Sequence, residues 1–270
     1  MNVQNKVVVI TGGGNGIGRE LVLNFLSKGA KVVAVDINPF ALDETKKMAQ
    51  KGEDQLATII ADITKEEEVN ALPEKVIEKM GMVDILINNA GIMHKFYRYY
   101  DLEETMAESV ININLIGVLR VSRAFLPYLL KRPEGYLVNL SSMASYLPVA
   151  GQSIYGLTKA GVKLFTEVLA MELRDTPVKA LVVLPGNIDT GITATAGVEI
   201  PKEVMGQKNA LNTTSPQKVA GKIITAIEKN KSSILVGNDA KIMHFLNRIA
   251  PSFAAKLIYK QTRMLLLEKN

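Results

Sequence analysis

The chain has 270 residues, 47% of them apolar, enough for one large α/β domain and too few for two comfortable ones. It contains no cysteine, which excludes disulfides, thiolate metal sites and a cysteine nucleophile, and which suits a reducing compartment. The net charge of +5 is uneven: residues 241–270 carry Lys241, Arg248, Lys256, Lys260, Arg263 and Lys269 against Glu268, so the rest is neutral overall, which argues against a nucleic-acid-binding face on the main body.

Lys6 to Ile10 is a β-branched run that predicts a strand buried on both faces of a parallel sheet, and it is too short for the core of a signal peptide. It enters Thr11-Gly12-Gly13-Gly14-Asn15-Gly16-Ile17-Gly18, followed by an amphipathic helix over 19–28. Glycines let the backbone turn tightly and approach a ligand, and the helix offers free N–H groups and a positive dipole end to a pyrophosphate. Strand, glycine loop and helix together predict a dinucleotide site. A second strand over 31–35 ends in Asp36, where a carboxylate reaches the adenosine ribose hydroxyls and repels a 2′-phosphate. With Ile37 and not arginine beside it, the signal favours NAD over NADP; a loop-capping aspartate is the alternative.

The third strand, 55–60, leads to Asp62-Ile63-Thr64, and Thr64 with Glu67 has the spacing of a capping box for a helix over 65–80. A fourth strand over 83–87 runs into Asn88-Asn89-Ala90-Gly91, residues that by themselves are turn formers. His94 follows on the expected substrate rim; it is read as an exposed loop histidine, packed or solvated, and not as a proton carrier. A long helix over 103–130 contains Asn112, Asn114 and Gly117, and an asparagine in mid-helix is unfavourable enough to suggest a placed polar role or a structural water for Asn114.

The fifth strand, 135–140, gives way to a loop beginning near Ser142. On the next helix, 154–173, Tyr155 and Lys159 lie four apart and share a face. A free tyrosine titrates near ~10, and a cation beside it favours the phenolate, which predicts a lowered pKa for Tyr155. A sixth strand over 180–184 ends in Pro185-Gly186-Asn187-Ile188-Asp189-Thr190. The mixed, mostly apolar segment 191–214 is expected to form a lid, Ser215-Pro216 restarts a helix, and 233–236 is a seventh strand. In the tail, Pro251 divides two helices, the second with Phe253, Leu257, Met264 and Leu265 alternating with Lys256, Lys260 and Arg263. Such a helix packs over its own pocket or a partner subunit, the favoured expectation, or lies on an anionic membrane. No run approaches the ~18 apolar residues of a membrane span, so a soluble cytoplasmic protein is expected.

Taken together, Thr11-Gly12-x-x-x-Gly16-x-Gly18, Asn88-Asn-Ala-Gly91, Asn114-x-x-Gly117, Ser142, Tyr155-x-x-x-Lys159 and Pro185-Gly-x-x-x-Thr190 resemble the classical short-chain dehydrogenase/reductase family over about 6–236. The resemblance implies an α/β fold, a doubly wound parallel (Rossmann) sheet with strand order 3-2-1-4-5-6-7 over residues 1–238, and leaves 239–270 as a basic helical extension. It implies reversible hydride transfer between NAD(H) and a secondary alcohol or ketone. Tyr155 would exchange the alcohol proton, Ser142 would hold the substrate oxygen, Lys159 would bind the nicotinamide ribose and lower the tyrosine pKa, and Asn114 would keep a water relay. Cofactor contacts are implied for Gly12, Asn15, Gly16, Ile17, Gly18, Asp36, Asp62 (at the adenine), Ile63, Asn89, Ala90, Gly91, Tyr155, Lys159, Pro185, Gly186, Ile188 and Thr190, with no metal. A small-molecule substrate and a homodimer or homotetramer through paired long helices are implied too, although the extension departs from the short glycine-rich ending of many members. The apolar lid and tail point to a lipophilic substrate such as a steroid, retinoid or long-chain hydroxy compound. An NADPH-dependent carbonyl or 3-oxoacyl reductase, disfavoured by Asp36, and a non-catalytic dinucleotide-binding regulator, disfavoured by the intact Ser142, Tyr155, Lys159 and Asn114, are the alternatives.

Overall fold

A computed structural model describes residues 1–188 and 213–267. β1 (Val7–Thr11), β2 (Lys31–Asp36), β3 (Leu56–Ile60), β4 (Ile85–Asn88), β5 (Gly135–Leu140), β6 (Val178–Pro185) and β7 (Ser233–Val236) form one parallel sheet in the order β3-β2-β1-β4-β5-β6-β7. Successive side chains of a strand point to opposite faces, and here both faces are apolar. Val8 and Ile10 of β1 join Leu21, Val22 and Phe25 of α1 (Gly16–Ser27). Val7 and Val9 join Leu72 and Val76 of α3 (Glu66–Met80), on the other face. α2 (Pro39–Ala49) reaches the first face through Leu42.

The registers Thr11↔Val35, Asn88↔Asn139 and Leu140↔Val183 bring the carboxyl ends of the central strands to one level. The chain winds outward in opposite directions from β1 and β4, so a crevice opens between their ends, the usual ligand position of such sheets.

Two local expectations are corrected. The capping box at Thr64 does not form: the N-cap position falls on Lys65, and Glu68, not Glu67, reaches back, accepting from Asp62 N at 2.8 Å. The long helix contains a wider turn. α4 (Glu104–Ile111) passes into a π turn over Asn112–Gly117 and then into α5 (Val118–Leu129). By length and hydropathy 104–129 could cross a membrane. However, Val121, Phe125 and Leu129 are buried in the sheet's second apolar cluster, as in the core helix of a globular domain.

α6 (Ser153–Glu172) follows β5, and α7 (Pro216–Glu228) precedes β7 with Ser215 as a side-chain N-cap, as expected. The tail forms α8 (Asn238–Ile249) and α9 (Pro251–Thr262), divided at Pro251 as the sequence predicts. The inner face of α9 differs from the expected stripe: Ala254 and Ile258 are buried, while Phe253 and Met264 are exposed. Small Ala254 lets α9 approach the cluster of Leu147 and Met243 more closely than a phenylalanine would.

Candidate active site

The glycine loop shows why its residue types are required. Gly12 has φ +67°, and a Cβ there would meet Ala90 Cα and Asn89 Nδ2 at 2.9 Å. A Cβ on Gly18 would run into the Gly12 carbonyl oxygen. The loop is also pinned from outside. Asn89 Nδ2 donates to Thr11 O (3.0 Å) and Gly12 O (3.2 Å), and Thr11 Oγ1 accepts from Asn89 N (3.1 Å) and Ala90 N (3.2 Å). Arg19 Nε donates to Gly14 O at 2.8 Å, and the Thr45 hydroxyl lies 3.1 Å from Gly13 O. Neither Arg19 nor Thr45 stood out in the sequence; an arginine directly after the last glycine was the available signal. Asn15 is the N-cap of α1 without a side-chain cap bond, and the first turn, with Gly16 and Ile17, holds no acidic residue. The positive end of α1 is therefore left to an anion.

Asp36 ends β2 with both carboxylate oxygens engaged, Oδ2 accepting from Gly14 N (2.9 Å) and Oδ1 from Asn38 N (3.0 Å). It thus borders the glycine loop, and a second anion placed there would meet its charge. Asp62 Oδ1 accepts from Thr64 N (2.9 Å) and the Thr64 hydroxyl (2.7 Å), so its side chain organises the turn after β3. The Ile63 side chain is buried against Gly117, where a Cβ would meet Ile63 Cδ1 at 2.8 Å. Only the backbone of Ile63 remains for a cofactor, and Gly117 is small to admit this isoleucine.

The second half of the site gathers around Gly91. A Cβ on Gly91 would stand 3.1 Å from Asn114 Oδ1 and 3.3 Å from Lys159 Nζ. Asn114 is buried, its Oδ1 accepting from Ile92 N (2.8 Å) and its Nδ2 donating to Ile92 O (2.7 Å). The π turn supplies the extra residue that aims the asparagine at that backbone, a distortion common at functional sites. Lys159 Nζ donates to Leu140 O at 3.1 Å and stands 5.7 Å from the centre of the Tyr155 ring. Ser141, missed in the sequence, ties α6 to the end of β5 by donating to Lys159 O at 2.7 Å. Ser142 accepts from Ala144 N at 3.1 Å, and its hydroxyl lies near enough to the Tyr155 phenol to favour the phenolate. Ser142, Tyr155, Lys159 and Asn114 are thus brought together.

The electrostatics correct one expectation. Burial raises the Tyr155 pKa above the ordinary 10, and the nearby Ser142 hydroxyl only partly opposes this. Burial also lowers Lys159, to about 8. Desolvation, which disfavours the charged form of each group, outweighs the attraction that their spacing suggested.

His94 is a further correction. It is buried, with Nδ1 2.7 Å from Lys95 O and Nε2 without a hydrogen-bond partner among the described residues, and close by in the chain the tail pairs with Phe96, Leu267 N donating to Phe96 O at 2.8 Å. Gln152, immediately before α6, donates to His94 O at 2.8 Å. On the β6 side, Gly186 N donates to Val236 O (2.8 Å) after Pro185, and Asp239 fills the space beside Gly186, its Oδ2 accepting from Asn187 N at 2.6 Å. Ile188 pairs with Thr214, so the chain leaves and re-enters the described fold at one point. Thr190 and all but the last two residues of the expected lid lie outside the described residues.

Comparison with known proteins bears on the family and the fold. A family model described as short chain dehydrogenase matches residues 6–200. SadH of Mycobacterium tuberculosis, named an oxidoreductase, is 34% identical over 264 residues, 94% of each chain. EphD of Mycobacterium bovis, also named an oxidoreductase, is 34% identical over 259 residues, 92% of this chain but 43% of EphD, so this chain spans less than half of that relative. The structure of 3-ketoacyl-(acyl-carrier-protein) reductase from Brucella melitensis complexed with NADH matches with a TM-score of 0.79 and 26% identity, covering 88% of this chain and 98% of that one.

Proposed function

The chain belongs to the short-chain dehydrogenase family, and from that premise we propose that it interconverts a secondary alcohol and a ketone with NAD(H). The observation that carries this reading is the convergence of Ser142, Tyr155, Lys159 and Asn114 around Gly91, beside a glycine cradle that side chains would fill. Bound in that cradle, NAD(H) would accept or supply the hydride. Gly12, Gly16 and Gly18 would hold the pyrophosphate, Asp36 the adenosine ribose, Lys159 the nicotinamide ribose, and Ile188 with Thr190 the nicotinamide side. Asp36 and the absence of an arginine at position 37 favour NAD over NADP.

Tyr155 would pass its phenolic proton to the substrate oxygen or take it back, with the Ser142 hydroxyl donating to the same oxygen. The raised pKa keeps the phenol protonated at neutral pH, which suits the acid needed for ketone reduction. Lys159, at about 8, is still mostly an ammonium at pH 7 and would stabilise the phenolate left behind. Asn114 holds the Ile92 backbone beside this pair and would carry the relay to solvent.

A lipophilic substrate is favoured by apolar residues near the site: Met143, directly after Ser142, packs on the cluster of Leu147, and Leu266 lies against Gly151, four residues before Tyr155. A 3-oxoacyl thioester, the class suggested by the name of the Brucella protein, is the second reading. Absorbance assays with NAD(H) and NADP(H) across long-chain and steroidal alcohols, 3-oxoacyl thioesters and short polar alcohols separate these readings. Preference for the short polar compounds would reject the lipophilic class, and a preference for NADPH with thioesters would establish the second reading.

α6 exposes Leu157, Leu164, Val168 and Met171 along one side, a seam that favours a homodimer through paired α6 helices. Leu164→Glu should shift the mass in light scattering from dimer to monomer; a wild-type monomer would contradict the assembly.

A further inference from the structure

The tail presents a second surface, on the outer side of its two helices. α8 buries Ala240 and Met243, α9 buries Ala254 and Ile258, and Met243, Ala254 and Ile258 close on Leu147 in one apolar cluster. Because both helices turn their inner faces to the same cluster, their outer faces look outward together. On the outside of α8, Ile242, Phe245 and Ile249 follow one another three and four residues apart and are 58%, 63% and 64% exposed. Phe253 of α9 and Met264 just beyond it, 58% and 50% exposed, extend the stripe. Lys241, Arg248, Lys256, Lys260 and Arg263 are exposed on the same two helices and the turn after them, and from residue 240 to residue 267 the sequence contains no Asp or Glu.

Scattered exposed apolar residues are ordinary, but an apolar stripe flanked by cations, with no acidic residue from 240 to 267 and, among the described residues, with Glu167 as the one carboxylate lining the surface beside Arg248, is the composition of a helix pair that lies in a membrane interface. We propose that α8 and α9 dock the protein on an anionic lipid bilayer. Ile242, Phe245, Ile249 and Phe253 enter the boundary between headgroups and acyl chains, and the five cations meet the lipid phosphates. Charge decides the occupant. A second copy packed on this face about a two-fold axis would set the same five cations against each other, and the neutral remainder of the chain offers no net negative charge to receive them. The surface is fastened to the body where Leu267 N donates to Phe96 O and where Tyr146 Oη donates to Ala240 O at 2.9 Å.

Co-sedimentation of the full chain with phosphatidylcholine vesicles, plain or with about a third phosphatidylglycerol, tests this without any substrate. The chain should partition onto the anionic vesicles at least about tenfold more strongly than onto the neutral ones, and added salt should weaken this preference. Lys256→Glu/Lys260→Glu should reduce partition by about 30-fold or more. Phe245→Ser/Ile249→Ser should reduce it about tenfold. These positions are exposed, so both variants should keep the wild-type melting temperature and NADH affinity, which separates failure of docking from failure of the proposed reaction. Equal partition onto both vesicles, or none onto either, would overturn the proposal. A lipid-free oligomer that Phe245→Ser/Ile249→Ser dissociates would overturn it as well, by assigning the face to a protein contact.

Discussion

The two sides of the crevice are stabilised in opposite ways. On the dinucleotide side, Asn89, Thr11, Thr45, Arg19 and Asp36 each hold a named backbone group of the glycine loop or its neighbours, so the protein's own hydrogen bonds define the loop's shape. On the reacting side, ionisable groups are buried: Lys159 is desolvated, Tyr155 is pushed toward its neutral form, and His94 Nε2 and Gln152 Oε1 have no hydrogen-bond partner among the described residues. The difference teaches that the cradle contributes stability to the free fold, whereas the reacting groups are held at some expense to it, as strained functional sites are.

Four changes break or sharpen this contrast. Tyr155→Phe should lower kcat on the order of 1,000-fold while leaving NADH affinity unchanged, measured by steady-state turnover and by fluorescence titration. Gly18→Val should do the reverse in kind, weakening NADH binding on the order of 100-fold because its side chain displaces the Gly12 carbonyl. It should also lower the melting temperature, since it disturbs the stabilised side.

Lys159→Met should abolish turnover yet stabilise the free chain by about 2 kcal/mol at pH 7, measured by denaturant unfolding. The folded pKa of about 8 lies below the ordinary 10.5, so between those values the unfolded chain holds a proton that the folded chain has released. Wild-type stability from this group therefore rises with pH across that window, and the advantage of Lys159→Met should shrink from pH 8 toward 10. An advantage that stays constant across that range would show that the lysine is not desolvated. The smallest effect is expected for Asp36→Ala, which should shift the NAD-to-NADP preference about tenfold toward NADP in competitive binding, with kcat little changed.

The dinucleotide side was also the more legible one. Gly12, Gly18 and Asp36 lie within one strand–loop–helix–strand unit, so local spacing sufficed to place them, and the strand order followed from the motifs in sequence. The reacting side depends on contacts between distant segments. His94 is buried, and residue 267 returns to pair with residue 96 close by in the chain, which no local pattern announces. The π turn at Asn112–Gly117 accompanies the bonds of Asn114 to the backbone of Ile92 across the site, and a helical period alone reads as uninterrupted. The pKa of Tyr155 ran against its spacing from Lys159 because separation along a helix says nothing of burial. In the tail, the basic and apolar composition was visible, but which side faced the body depended on Leu147, more than a hundred residues away.

The most direct test of the central claim is isotope transfer: a secondary alcohol deuterated at its carbinol carbon, chosen from the active members of the substrate panel, incubated with NAD and the full chain. The account predicts deuterium on the nicotinamide ring of the NADH formed with the wild type and none with Tyr155→Phe, although both bind NADH alike. Deuterium transfer that persists undiminished in Tyr155→Phe, or NADH binding with no transfer to NAD or NADP from any alcohol of the panel, would contradict it.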